Sequence, residues 1–106
     1  MEETVRLAAF YRALSDPTRL RIVALLARQT MPDEECQRLC AGQGFLCVNA
    51  LAHRLGVTQS AVSQHLRVLR LAGIVQGERQ GSFVHYTVDS GILEQHAADL
   101  HRLLHG

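Results

Sequence analysis

The sequence predicts a mainly α domain with a single β-hairpin. Three observations lead there. Apolar residues recur at helical spacing through most of the 106 residues. The period changes once, near residues 74–88, where Val84, Tyr86 and Val88 alternate with Phe83, His85 and Thr87 as in a strand. One stretch, Val57 to Ala72, combines a buried apolar line with a polar face that has no acidic residue.

Thr4 to Leu14 predicts the first helix. Val5, Leu7, Ala8, Phe10, Tyr11 and Leu14 make it apolar around much of its circumference. So broad an apolar surface calls for a partner chain or another terminal helix. Ser15-Asp16-Pro17 ends it and starts the next, with Asp16 as N-cap and proline at the first helical position. The second helix runs from Pro17 to Arg28, and Leu20, Ile22, Val23, Leu25 and Leu26 form its core face.

Gln29 to Phe45 breaks the pattern, punctuated by Pro32, Gly42 and Gly44. Asp33-Glu34-Glu35 can open a short helix bearing Cys36 and Cys40, which would share one face at a spacing of four. Leu46 to Leu55 predicts a third main helix with Leu46, Ala50, Leu51 and Leu55 inward.

Gly56-Val57-Thr58 turns the chain into the Val57–Ala72 helix. Thr58 is its N-cap residue and Gly73 its C-terminal stop. Val62, Leu66 and Leu69 form its buried line. Two short helices joined by such a turn make a helix-turn-helix, whose second helix enters the DNA major groove. Val75 to Arg79 then pairs with the alternating strand through a turn at Gln80-Gly81, which makes a wing. Gly91 to His105 is the last helix, with Ile92, Leu93, Leu100, Leu103 and Leu104 apolar. No linker or repeat divides the chain, so residues 1–106 read as one winged helix-turn-helix domain.

The net charge of +1 says little, but its distribution says more. Residues 1–46 balance six arginines with six acids, whereas residues 47–88 hold four arginines and one acid. No apolar run approaches the roughly 20 residues of a membrane span, and the acidic N-terminus lacks a signal-peptide pattern. The expected compartment is the cytoplasm, where Cys36, Cys40 and Cys47 would be free thiols. No phosphate loop or nucleophile–base constellation suggests an enzyme.

Three motifs resemble the ArsR/SmtB family of bacterial winged-helix repressors. They are Tyr11-Arg12-Ala13-Leu14-Ser15-Asp16-Pro17-Thr18-Arg19-Leu20-Arg21-Ile22, Leu55-Gly56-Val57-Thr58-Gln59-Ser60-Ala61-Val62-Ser63-Gln64-His65-Leu66 and Gln80-Gly81-Ser82-Phe83-Val84-His85-Tyr86. The resemblance covers nearly the whole chain outside residues 29–45. It implies a homodimer joined through residues 4–14 and 91–105, and repression of a double-stranded DNA operator that an effector relieves. A twofold dimer sets two recognition helices about 34 Å apart, the spacing of a palindrome. Ser60, Ser63, Gln64 and Arg67 are then assigned to base edges or adjacent phosphates. Gln59 and Arg70 go to phosphates, and Arg79 to the minor groove or backbone. His65 is either a DNA contact or a packed helix residue.

The family senses soft metals through cysteines of a Glu-Leu-Cys-Val-Cys-Asp-Leu motif. Here the matching stretch is Phe45-Leu46-Cys47-Val48-Asn49-Ala50-Leu51, with Asn49 in the second cysteine's place. Cys36, Cys40 and Cys47 together would offer three thiolates to As(III), Cd(II) or Pb(II). Two of them could instead form a redox or reactive-sulfur switch. A small organic effector, or constitutive DNA binding with no metal site, is the remaining alternative. A second family site lies on the last helices, at an Asp-x-His and a His-x-x-His or His-x-x-Glu pair. Here Gly91 stands two residues after Asp89, where the first histidine would be, and His101 and His105 are four apart, so that pattern is departed from.

Overall fold

The structure, a computed structural model, describes residues 2–28, 38 and 46–106. Among the described residues, five helices and one hairpin follow in order: α1 (Glu3–Leu14), α2 (Pro17–Arg28), α3 (Val48–Leu55), α4 (Gln59–Leu71), β1 (Val75–Gln80), β2 (Phe83–Val88) and α5 (Ser90–His105). The expected mainly α architecture with one hairpin is what is found. The short helix expected around Cys36 and Cys40 lies outside the described residues.

Caps set most helix boundaries. Asp16 Oδ2 accepts from the backbone N–H of Arg19 at 3.0 Å, which starts α2 at Pro17. That N–H, more than any other group, holds the Asp16 carboxyl below the ordinary aspartate range. Thr58 Oγ1 accepts from Ala61 at 3.0 Å, so α4 begins at Gln59 rather than Val57, which belongs to the turn. Asp89 Oδ1 accepts from Ile92 at 3.1 Å and starts α5 at Ser90, one residue before the expected Gly91. Helix α3 starts at Val48, not Leu46: Cys47 is extended and stands at the N-cap without a side-chain cap. Helix α1 begins at Glu3, one residue earlier than Thr4.

Gly56 ends α3 with a φ of 66°, and Gly73 follows α4 with a φ of 77°. Both conformations suit glycine because they lack a Cβ clash.

The strands pair antiparallel from Val75 opposite Val88 to Gln80 opposite Phe83. The turn is therefore Gly81-Ser82 rather than Gln80-Gly81, with Gly81 at a φ of 64°. Gly77 faces Tyr86, and a Cβ there would stand 3.0 Å from Val84 and 3.1 Å from Tyr86. The missing side chain gives Tyr86 room to pack inward.

The core gathers Ile22 from α2, Leu51 from α3, Val62, Leu66 and Leu69 from α4, and Ile74 and Val75 at the hairpin's start. The expected line Val62–Leu66–Leu69 is buried in full. Leu20 differs from expectation: it is half exposed while Ile22, Val23 and Leu26 are buried. Two residues before Ile22 is about 200° around the helix, off the inward face.

The terminal helices pack on each other. Phe10 of α1 lies 4.2 Å, centroid to centroid, from the His96 ring of α5, and the Tyr11 hydroxyl reaches the His96 carbonyl at 3.5 Å. Even so, α5 has no buried residue, and Leu103 and Leu104 remain exposed, as does Val5. Among the described residues no helix is long and apolar enough to cross a membrane.

Candidate nucleic-acid interface

Helix α4 meets the core along one side only. Its other side carries Gln59, Ser60, Ser63, Gln64, Arg67 and Arg70, all exposed. Among the described residues these side chains make no intramolecular hydrogen bond or ion pair. On a helix surface an acid three or four residues from an arginine would pair with it. None is available here, because no acid occurs from Val57 through Gly77. Beside the exposed Val68 and Leu71, the face offers planar or short hydrogen-bonding groups and positive charge, which suit phosphates and base edges.

Helix α3 positions α4 through the tight turn. Val57 N donates to Ala52 O at 3.1 Å, and Gly56 N to His53 O at 3.4 Å. At the far end Ile74 N donates to Leu69 O at 2.9 Å, and the chain passes directly into β1. Helix and hairpin are thus fixed at both ends of α4. Arg79 is exposed near the hairpin tip, opposite Val84, and Glu78 stands beside it. The wing is less uniformly positive than α4.

His65 is the one predicted contact that is not fully exposed. It is half-buried, and its Nδ1 lies 3.3 Å from Arg19 Nη1 of α2. This pairing has no local sequence signal, since the two residues are 46 apart.

Cys47 lies in a different setting. It is 2% exposed and its sulfur is in a disulfide. The free thiol expected from the compartment is therefore not the state found. A three-thiolate site for As(III), Cd(II) or Pb(II) would need Cys47 reduced to the thiolate. Cys36 and Cys40 lie outside the described residues. Among the described residues, no group of three or more His, Cys, Asp and Glu side chains is placed to hold a metal ion. A cleft of about 190 Å³ runs between the start of α3 and β2, lined by Cys47, Val48, Asn49, Phe83, Val84 and Tyr86. Cys47 thus sits against the turn-side half of β2.

Near the second family site, the side chains on and before the last helix make other contacts. Asp89 uses both carboxylate oxygens, capping α5 at Ile92 and accepting from Gln76 Nε2 at 3.2 Å. The rings of His101 and His105 lie against each other, 4.4 Å between centroids and tilted by 38°, on an exposed face.

Comparison with known proteins bears on this arrangement. Residues 39–76, which contain α3, the turn and α4, match the description of the arsR family of bacterial regulatory proteins. The transcriptional repressor SmtB homolog of Synechocystis is 34% identical over 102 residues, covering 96% of this chain and 63% of that protein. An uncharacterized HTH-type transcriptional regulator of Methanocaldococcus jannaschii is 33% identical, covering 89% of this chain and 91% of that one.

This chain belongs to the ArsR/SmtB family.

The shape agrees. An ArsR-like transcriptional regulator from Rhodococcus superposes with a TM-score of 0.72 at 28% identity, over 94% of this chain and 80% of that one. The ArsR/SmtB fold is a winged helix-turn-helix, with α3 and α4 as the two helices and β1–β2 as the wing. These relatives are named as regulators of transcription, not as enzymes. The chain spans just under two thirds of the length of the Synechocystis relative.

Proposed function

We propose that residues 1–106 act as one unit, a homodimeric DNA-binding repressor whose hold on a palindromic operator follows the oxidation state of its cysteines. The observation that carries the DNA reading is the exposed, unpaired, acid-free face of α4. Ser60, Ser63, Gln64 and Arg67 meet base edges or adjacent phosphates, Gln59 and Arg70 meet phosphates, and Arg79 follows the backbone or minor groove. The cytoplasm is the working compartment.

The exposed Val5, Leu103 and Leu104 support a dimer through α1 and α5. Single exposed apolar residues are ordinary, but these three lie on the two helices that pack together at the chain's ends.

The disulfide at Cys47 favours thiol chemistry over a resident soft metal. Reduction takes up two electrons and two protons from a dithiol donor and leaves two thiols. In the reducing cytoplasm such a bond works as a switch rather than a staple. Its place in the cleft beside β2 links it to the wing.

Fluorescence anisotropy tests this, using a duplex the protein itself selects from a random-sequence pool. We expect the oxidised and reduced proteins to differ about tenfold in affinity, within the usual range of allosteric coupling. Cys47→Ser should erase the difference. Release by As(III), Cd(II) or Pb(II) with no redox effect would replace the switch with a metal sensor. Failure to select any duplex would overturn the DNA reading.

A further inference from the structure

We propose that Arg19 is a positioning residue that fixes the tautomer of His65, so that α4 presents an N–H donor at Nε2 to a DNA phosphate. This rests on the DNA-binding reading above. Arg19 lies in the first turn of α2, and two contacts hold it there. Its backbone N–H donates to Asp16 Oδ2 at 3.0 Å, and its Nε donates to the Ala13 carbonyl at 2.6 Å. Ala13 is buried near the end of α1. The guanidinium plane is therefore set by the α1–α2 corner before it meets α4.

From that corner Nη1 reaches His65 Nδ1 at 3.3 Å. A guanidinium has donors and no acceptor, so Nδ1 must accept. A neutral imidazole that accepts at Nδ1 carries its proton on Nε2. The other tautomer would set N–H against N–H. Nε2 has no partner among the described residues and is not an enclosed atom. It is left as an outward donor on a half-buried ring.

His65 stands beside the buried line Val62–Leu66–Leu69, at the margin of α4. That margin is off the centre of the polar face, and phosphates and sugars take half or more of protein–DNA hydrogen bonds. A donor with a locked proton suits that contact, since phosphate oxygens only accept. The same link ties the α1–α2 corner, next to the proposed dimer helix, to the helix that meets DNA.

Ring 15N NMR on the full chain, without DNA, tests the first half. We expect His65 Nδ1 in the bare-nitrogen range and Nε2 in the protonated range, with Arg19→Gln giving a mixture. A wild-type ring protonated at Nδ1, or already mixed, would overturn the proposal and leave the DNA reading intact. The second half uses the selected duplex. Arg19→Gln should weaken binding about tenfold, the loss expected for one contact to a charged group. In a His65→Ala background the same change should cost less than about twofold. Equal losses in both backgrounds would overturn it. Because Arg19→Gln also removes the donor to Ala13, the cycle is repeated with Arg19→Lys, which keeps the charge without the two-nitrogen fork; the same non-additivity is expected. A protein that selects no duplex fails on the DNA reading itself, whatever its tautomer.

Discussion

Arg102 reaches back from α5 to α1, with Nη2 2.8 Å from Glu3 Oε1 and 3.0 Å from Asp99 Oδ1. Asp99 also accepts from Gln95 at 3.0 Å. The group spans the two ends of the chain, 99 residues apart. It is open to solvent, so its energetic weight is small and falls with salt. Its direction with pH is nevertheless defined. The Gln95 amide, and then Arg102, hold the Asp99 carboxyl below the ordinary aspartate range. The unfolded chain therefore binds protons at a higher pH than the folded one. Stability from this group is fully present above the ordinary aspartate value and is lost as pH falls through the lower, folded value. Asp16 acts in the same direction through its cap on α2. Thermal melts stepped downward from neutral pH should show the loss in the acidic limb, and Asp99→Asn should make that limb shallower.

Leu66 is buried at the centre of the α4 line among residues of α2, α3 and the hairpin. Leu66→Ala removes that packing and leaves a cavity. We expect a loss of about 2–5 kcal/mol in urea denaturation. Gln64→Ala, one face away and exposed, should change stability by less than about 0.5 kcal/mol.

Thr58 starts α4 through one hydrogen bond to Ala61. Thr58→Ala should cost about 1 kcal/mol, and Thr58→Ser should restore most of it. Equal stability for all three in denaturant titrations would mean that the turn, not the cap, sets where α4 begins.

Ser63→Ala combined with Arg67→Ala should weaken specific DNA binding by about 2–4 kcal/mol. Arg70→Ala should act differently. As a phosphate contact it should weaken binding to all duplexes alike and lower the salt slope by about 1. Anisotropy titrations at several salt concentrations separate the two patterns.

Leu104 is 69% exposed near the end of α5. Leu104→Glu would place a charge in the proposed dimer interface. Light scattering should find monomer where the wild type is dimer, with the fold of each chain unchanged by circular dichroism.

The sequence carried the elements well because each signal was local. Thr58, Asp16 and the glycines at 56 and 73 mark helix ends through contacts within a few residues. Val62, Leu66 and Leu69 declare their burial by spacing alone. The misses are of two kinds. Boundaries moved by one or two residues where a cap lay outside the apolar pattern, as at Cys47 and Asp89. Relations between distant residues left no local trace. Nothing near Arg19 announces His65, and nothing in the hairpin's alternation announces that Gly77 makes space for Tyr86. The polar face of α4 was legible as a face, since the absence of acids is itself a sequence fact. The state of Cys47 was not, because pairing depends on where the second sulfur lies.

Asp89 joins the hairpin to the last helix three times over. Its N–H donates to Ile74 O at 2.9 Å, its side chain caps α5, and it accepts from Gln76 of β1. The hairpin's closing residue and the helix's first cap are one residue. A tilt of α5 therefore cannot be absorbed in a slack connection and is passed to the strands at their base. Across the length of β1 a few degrees at that hinge becomes a displacement at Arg79, so in the proposed dimer the geometry of the two terminal helices would set how far apart the two wing tips stand.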